Sequence, residues 1–233
     1  GVLAAENMIR AESRNYTIPC FALKCDVRKF FDSIDHEILL AILKRRIADP
    51  DTMWLLQEIV RSFEVGGTSL FNRHGLPIGN LTSQLFANVY MNEFDQFVKH
   101  EMKVKNYARY TDDFIVVSAD KKYLEGLLDP FQEFLGERLK LSLHPKKISI
   151  GNVARGVDFL GYVALPHYKV LRTKTKHRIF RKLRERVMQY RRGDISAHSL
   201  SQSLHSYLGA LSHADAHQLT EDLKNRYWFW LHE

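Results

Sequence analysis

The stretch YARYTDDFIVVS, Tyr107 to Ser118, sets Asp112 and Asp113 side by side between two short runs of aromatic and β-branched residues. Runs of that composition favour strands, and the polar break between them marks a hairpin tip. Acidic side chains are ordinary in turns, where they bond nearby backbone and tolerate unusual φ/ψ. In a chain with a formal net charge of +7, paired aspartates at a strand junction also suit a second use, which is to hold divalent metal ions for chemistry on phosphates. That use requires another carboxylate from elsewhere, because two-metal phosphoryl transfer draws its ligands from converging segments.

Upstream, the run IPCFALKCD supplies the candidate. Phe21, Leu23 and Cys25 alternate with Ala22 and Lys24 as in a strand, and Asp26 closes the run. If this strand neighbours the hairpin, Asp26, Asp112 and Asp113 form one acidic cluster. All-oxygen ligands plus substrate phosphates would satisfy the octahedral demand of magnesium.

Around these strands the periodicity is mostly helical. Ser33 is expected to cap a helix with Glu37 in its first turn and Ile38, Leu39, Ile42 and Leu43 on its apolar face. A second helix is expected from Pro50 to Phe63, then a turn at Gly66 and Gly67 and an irregular loop over HGLPIGN. A long helix opens at Asn80 or Thr82 and reaches about Lys99, with Leu81, Leu85, Val89, Phe86, Tyr90, Phe94 and Phe97 expected in the core. Beyond the hairpin follow an amphipathic helix from about Lys121 to Glu137, strands at KISIG, VDFLGYVAL and KVLRT, and helix from Lys176 onward. The class is α+β.

With 233 residues, 45% of them hydrophobic, the chain can bury the core of one large or two small domains. It contains no run of about 18 apolar residues, and GVLAAENMIRAESRN has neither a basic start nor a small-residue cleavage site. Cys20 and Cys25 lie an odd number of residues apart on a strand, so they face opposite ways and stay unpaired. The expectation is a cytoplasmic protein with no membrane partner. Charge is concentrated between Lys140 and Arg192, where fifteen Lys and Arg meet two acids, Asp158 and Glu185. Within it, HRIFRKLRERVMQYRR puts Ile179, Leu183, Val187 and Tyr190 on one side of a helix and basic residues on the rest. Such a face is either merely solvated or tracks a nucleic-acid backbone. His213 and His217 are spaced like two metal ligands on one helix, but no third ligand lies nearby, which favours solvent-facing or packing roles.

Five motifs in order carry a resemblance. ALKCDVRKFFDSIDHEIL, HGLPIGNLTSQLFANVYMNEFD and YTDD resemble the first catalytic aspartate motif, the glycine and serine loop with its helix, and the Y-x-D-D box of reverse transcriptases. SLHPKKISIG and VDFLGY are similar to the two motifs that follow, the second being the primer grip, and SYLGALSHADAHQL to part of the thumb. The resemblance implies a right-hand polymerase fold: residues 1–18 as a remnant of the connection between fingers and palm, 19–172 as an antiparallel palm with packed helices, and 173–233 as a helical thumb. The upstream fingers strands are largely missing, so this chain alone is expected to be inactive or impaired.

By the same resemblance Asp26 and Asp112 are the main ligands of two Mg2+ ions, with Mn2+ as a substitute, Asp113 completes the set, and the Val27 carbonyl also touches metal. Phe31, five residues after Asp26, occupies the place of the aromatic that crowds a ribose 2′-hydroxyl, which favours dNTP substrates; a core phenylalanine is the alternative, and one that suits Phe30 better. Lys146 or Lys147 is the candidate general acid for the leaving pyrophosphate, with plain backbone binding as the alternative for either. Arg172, Lys174, Lys176, Arg181, Lys182 and Arg184, with Lys146, are the expected contacts to template RNA and primer or cDNA. In the glycine loop most reverse transcriptases read Q-G-x-x-x-S-P, whereas Ile78, Gly79 and the residues to Gln84 here read IGNLTSQ. Ile78, Gly79 and Gln84 are the expected substrate-binding residues of the loop. This version resembles the reverse transcriptases of diversity-generating retroelements, which make error-prone cDNA and work with a basic accessory protein. A group II intron lineage, a defence-associated enzyme, a non-catalytic palm-like nucleic-acid-binding domain and a helical protein-docking module are the other readings.

Overall fold

The computed structural model describes residues 1–62, 74–77 and 79–233, so the glycine turn expected at 66–67 and the residue Ile78 lie outside the described part. The chain folds as two compact units, Leu3–Gly151 and Asn152–Glu233.

The first unit is an antiparallel sheet backed by helices. After α1 (Val2–Glu12) come β1 (Phe21–Asp26), a short α2 (Phe30–Ser33), α3 (His36–Lys44), α4 (Pro50–Arg61) and α5 (Leu81–Gln96). Then follow β2 (Tyr107–Tyr110), β3 (Asp113–Ser118), α6 (Lys121–Gly126), α7 (Leu128–Leu139) and β4 (Ser149–Asn152). The strands stand in the order β2-β3-β1-β4. Leu23 and Cys25 on one face of β1, and Phe114 and Val116 of β3, are fully buried because Phe86, Tyr90 and Phe94 of α5 and Phe131 and Leu135 of α7 cover the sheet. Phe94 is the hub, with its ring 5.1 Å from that of Phe114 and 5.2 Å from that of Phe131.

Several boundaries differ from those expected. The cap of α3 is Asp35, not Ser33: its carboxylate accepts from the N–H groups of Glu37 at 2.9 Å and Ile38 at 3.1 Å, while Ser33 ends the separate turn α2. α5 is capped by Asn80 and passes after Gln96 into a π-helical turn, Phe97–Glu101. Leu81 and Leu85, expected in the core, are 81% and 61% exposed; the buried face of α5 begins at Ser83 and Phe86. The helix expected from Lys121 to Glu137 is two, α6 and α7, meeting at Leu127.

The second unit holds a three-stranded antiparallel sheet, β5 (Val157–Phe159), β6 (Tyr162–Leu165) and β7 (Tyr168–Leu171), and three helices, α8 (Thr173–Arg191), α9 (Ala197–Ser212) and α10 (His217–His232). VDFLGYVAL is therefore a hairpin and not one strand. Phe159 pairs with Tyr162 across a two-residue turn in which Leu160 (φ 52°) and Gly161 (φ 85°) are both left-handed, the geometry that matches strand twist. Ile179, Leu183 and Val187 of α8 are buried with Leu200, Leu211, Leu223 and Trp230, in agreement with their helical spacing. This sheet belongs to the same compact unit as the helices, and the two units divide at residue 152. Tyr162 Oη donates to the Ala210 carbonyl at 2.9 Å, and Lys169 and Asp215 exchange two hydrogen bonds of 2.8 and 2.7 Å.

Candidate active site

The register of the first sheet brings the three aspartates together. Asp26, the last residue of β1, lies directly opposite Asp113, the first of β3, and opposed residues in an antiparallel pair project to the same face. Asp112 occupies the turn between β2 and β3, and its carbonyl accepts from Val27 N–H at 3.1 Å, which ties the turn to the end of β1. Its carboxylate lies 3.0 Å from Thr111 Oγ1, a hydroxyl that also has the Tyr110 carbonyl at 2.7 Å. On the other side of β1, the Asp26 carbonyl accepts from His144 N–H at 2.8 Å and Arg28 N–H donates to the Ser142 carbonyl at 2.8 Å. These bonds fix the segment that delivers Lys146 and Lys147.

Lys147 reaches the cluster and Lys146 does not. The Lys147 ammonium lies 2.7 Å from Asp26 Oδ2, an ion pair in which the aspartate side chain is 10% exposed and the lysine 54%. Its pKa is raised, first by the hydrogen bond to Asp26 and, against partial burial, by the charges of Asp26, Asp113 and Asp112. One cation thus feels all three carboxylates. Asp113 titrates above the usual carboxylate range because burial disfavours its charge; Asp112 and Asp26 push the same way, against Lys24 and Lys147. Among the described residues no three Asp, Glu, His or Cys side chains already close on one point as a metal site. The donor set nevertheless fits a hard cation: it is all carboxylate oxygen, and the charges of Asp112 and Asp26, which add to burial in raising the Asp113 pKa, are charges that a divalent ion would neutralise.

The other expected site residues are more widely spread. Phe30 is buried and Phe31 half-buried, their rings edge to face at 5.4 Å, and the Phe31 carbonyl accepts from Leu76 N–H at 2.7 Å. Gly79 is exposed with φ 97°, a conformation that favours glycine, and Gln84 is exposed in the first turn of α5. Ile78 lies outside the described residues. In the second unit Arg172 pairs with Asp158, and Lys174, Lys176, Arg181, Lys182 and Arg184 are exposed along α8. His213 ends α9 and His217 begins α10, so they do not share a helix. Two residues that sequence reasoning passed over stand beside the acidic turn: Arg109 on β2 and Asp95 on α5, joined by a bidentate ion pair. The signal was present, since an arginine inside a strand this apolar needs a buried partner.

The sequence profile of reverse transcriptases (RNA-dependent DNA polymerases) matches residues 6–164. The chain belongs to the reverse transcriptase family. Curated relatives of this reverse transcriptase chain include protein YkfC of Escherichia coli, 27% identical over 61% of the chain and 46% of its own length. The group II intron-encoded protein LtrA of Lactococcus lactis is 24% identical over 59% of the chain and 33% of its own length. The chain thus spans less than half of either relative. Among solved structures, telomerase from Candida albicans in complex with a fragment of telomeric RNA superposes with a TM-score of 0.58 at 12% identity, over 99% of this chain and 43% of that one. Apo telomerase from Candida tropicalis, truncated of its C-terminal domain, gives 0.54 at 15% identity over 71% and 37%. At such identities the likeness speaks for the reverse transcriptase fold alone.

Proposed function

We propose that the protein is an RNA-directed DNA polymerase whose reaction centre is Asp26, Asp112 and Asp113, with the first unit serving as palm and the helices of the second as thumb. The observation that carries this is the register pairing of Asp26 with Asp113 beside the Asp112 turn, in a chain of this family. Asp26, Asp112, Asp113 and the Val27 carbonyl would hold two Mg2+ ions, or Mn2+ in their place, which when bound activate the attacking oxygen and steady the leaving group. Lys147, held at Asp26, is placed to give a proton to the departing pyrophosphate, a role worth ~10²–10⁴-fold. Phe31 fills the room of a ribose 2′-hydroxyl and so selects dNTPs, with Gly79 and Gln84 lining the same substrate. The basic residues of α8 in the second unit, and separately Lys146 in the first, would contact template RNA and primer. The two free, buried cysteines support a cytoplasmic setting. Among the described residues no helix is long and apolar enough to cross a membrane.

The IGNLTSQ loop supports the diversity-generating subtype, with error-prone cDNA synthesis and a basic accessory partner. The intron-encoded relative favours a second reading, a group II intron-like enzyme. Primer extension on an RNA template by the full natural protein tests both levels. Asp112→Asn is expected to retain less than about 1% of the parent rate, a loss above ~2.7 kcal/mol at 1.36 kcal/mol per decade, with RNA affinity unchanged. A variant that keeps more activity would reject the metal assignment. Sequencing the parent's cDNA then separates the subtypes: errors concentrated at template adenines support the diversity-generating reading, and an even spectrum removes it.

A further inference from the structure

Arg109 lies on β2, two residues before the turn that carries Asp112, and its side chain is only 8% exposed. A guanidinium in that position is costly unless its donors are used. Here all three guanidinium nitrogens are engaged. Nε donates to Asp95 Oδ1 at 2.8 Å and Nη2 to Asp95 Oδ2 at 2.6 Å, while Nη1 donates to the Thr111 carbonyl at 2.9 Å and to Asn88 Oδ1 at 3.3 Å. Tyr107 Oη adds a bond to Asp95 Oδ1 at 2.8 Å. Asn88 and Asp95 are seven residues apart on α5, so two helical turns present both acceptors on one face.

The bond to Thr111 distinguishes this network from an ordinary buried ion pair. Thr111 has φ 53°, a left-handed conformation that a β-branched residue resists, and its hydroxyl, 2.7 Å from the Tyr110 carbonyl, also lies 3.0 Å from Asp112 Oδ1. A fixed donor on the Thr111 carbonyl therefore holds the strained residue that precedes Asp112 and touches its carboxylate. We infer that Arg109, clamped by Asp95, is a positioning residue for the acidic turn, setting Asp112 against Asp26 and Asp113 for divalent metal. The inference rests on the polymerase reading and adds to it a support that runs from α5 into the reaction centre. Lysine could keep one bond with Asp95, but a single ammonium cannot span both carboxylate oxygens and the Thr111 carbonyl.

The test uses the full natural protein in four forms: parent, Asp112→Asn, Arg109→Lys and Asp95→Glu. Mn2+ binding is read from the signal of the free ion, alongside Mg2+-dependent primer extension, RNA affinity and thermal midpoint. Arg109→Lys is expected to raise the half-saturating Mn2+ concentration ~10–100-fold, the usual consequence of removing a group that orients a metal ligand, with RNA affinity kept and kcat reduced while KM for dNTP holds. Asp95→Glu, which retains the charge but displaces the fork, should shift the Mn2+ midpoint the same way, and it carries the test if Arg109→Lys does not fold. A parental Mn2+ midpoint in the folded variant overturns the inference. Its failure is separable from that of the polymerase reading: a parent that extends primers and an inactive Asp112→Asn leave that reading intact whatever Arg109 does. If Asp112→Asn binds Mn2+ like the parent, both fall.

Discussion

At the scale of single residues, the acidic cluster trades stability for chemistry. Asp26 and Asp113 are like charges placed directly opposite each other, an arrangement that destabilises a strand pair where opposite charges would contribute ~0.2–1 kcal/mol. Burial, together with Asp112 and Asp26, raises the Asp113 pKa, so the folded protein binds this proton more tightly than the unfolded chain does. Stability from this group is then greatest below the ordinary carboxylate range, falls as pH rises through the unfolded and then the raised folded value, and stays at its reduced level above that. Asp113→Asn is accordingly expected to raise the thermal midpoint of the metal-free protein at pH 7 by up to about 4 °C, with the gain shrinking below about pH 4. Melting curves at the two pH values check this, and a midpoint that falls at pH 7 would refute it. The three aspartates were legible in the sequence because Asp26 closes and Asp113 opens a strand whose alternation is local, and Asp112 fills the polar break between two such strands. Arg109 signals only that it needs a partner; that Asp95 is the partner depends on how α5 crosses β2, a tertiary fact that no short window contains.

At the scale of elements, Asp35 shows how a cap is chosen by more than its neighbours. Ser33 and Glu37 offered one plausible start for α3, yet Asp35 supplies the acceptor for the first free N–H groups and also meets the Lys140 ammonium at 2.7 Å. Lys140 is 105 residues away in sequence and ends α7 in the left-handed conformation, so the second attraction is invisible to any helix-capping rule. Burial raises the Asp35 pKa, but the Lys140 bond and the amides of Ile38 and Glu37 outweigh it and hold the carboxyl below its usual range. Its contribution is thus present above the ordinary carboxylate pKa and is lost as pH falls through the lowered one. Asp35→Ala should destabilise the protein by ~0.5–2 kcal/mol, whereas Ser33→Ala should stay within ~0.5 kcal/mol of the parent. Urea unfolding of the two variants decides between the caps: a larger loss from Ser33→Ala would restore the sequence-based assignment. The same limit explains Leu81 and Leu85, which sit on a helical apolar period but face solvent among the described residues, since periodicity marks a stripe without saying what covers it.

At the scale of the whole molecule, composition located the basic second unit, while its boundary depended on pairing. β5, β6 and β7 alternate much like the strands of the first sheet, and their hydrogen bonds to one another, to Ala210 of α9 and to the segment around Asp215 assign them to the helices. The basic face of α8 has its own consequence. Arg181 and Lys182 both lean on one acid, Glu185, at 3.7 and 3.3 Å, in exposed pairs worth only ~0.2–1 kcal/mol. An approaching phosphate can replace such partners at little cost. Ile179, Leu183 and Val187, which anchor the helix, are buried on the other side, so the charges can be removed without touching the core. Changing Arg181, Lys182 and Arg184 together to glutamine should leave the circular-dichroism melting midpoint within a few degrees of the parent and weaken RNA binding. Every phosphate that goes unneutralised takes ~0.7–0.9 off the slope of log affinity against log salt, so the triple variant should flatten it by about two to three. Asp112→Asn in parallel should not flatten it, because that carboxylate neutralises no phosphate of its own. Filter binding across a salt series reads both slopes. A triple variant with the parental slope would show that this face of α8 does not track the nucleic-acid backbone.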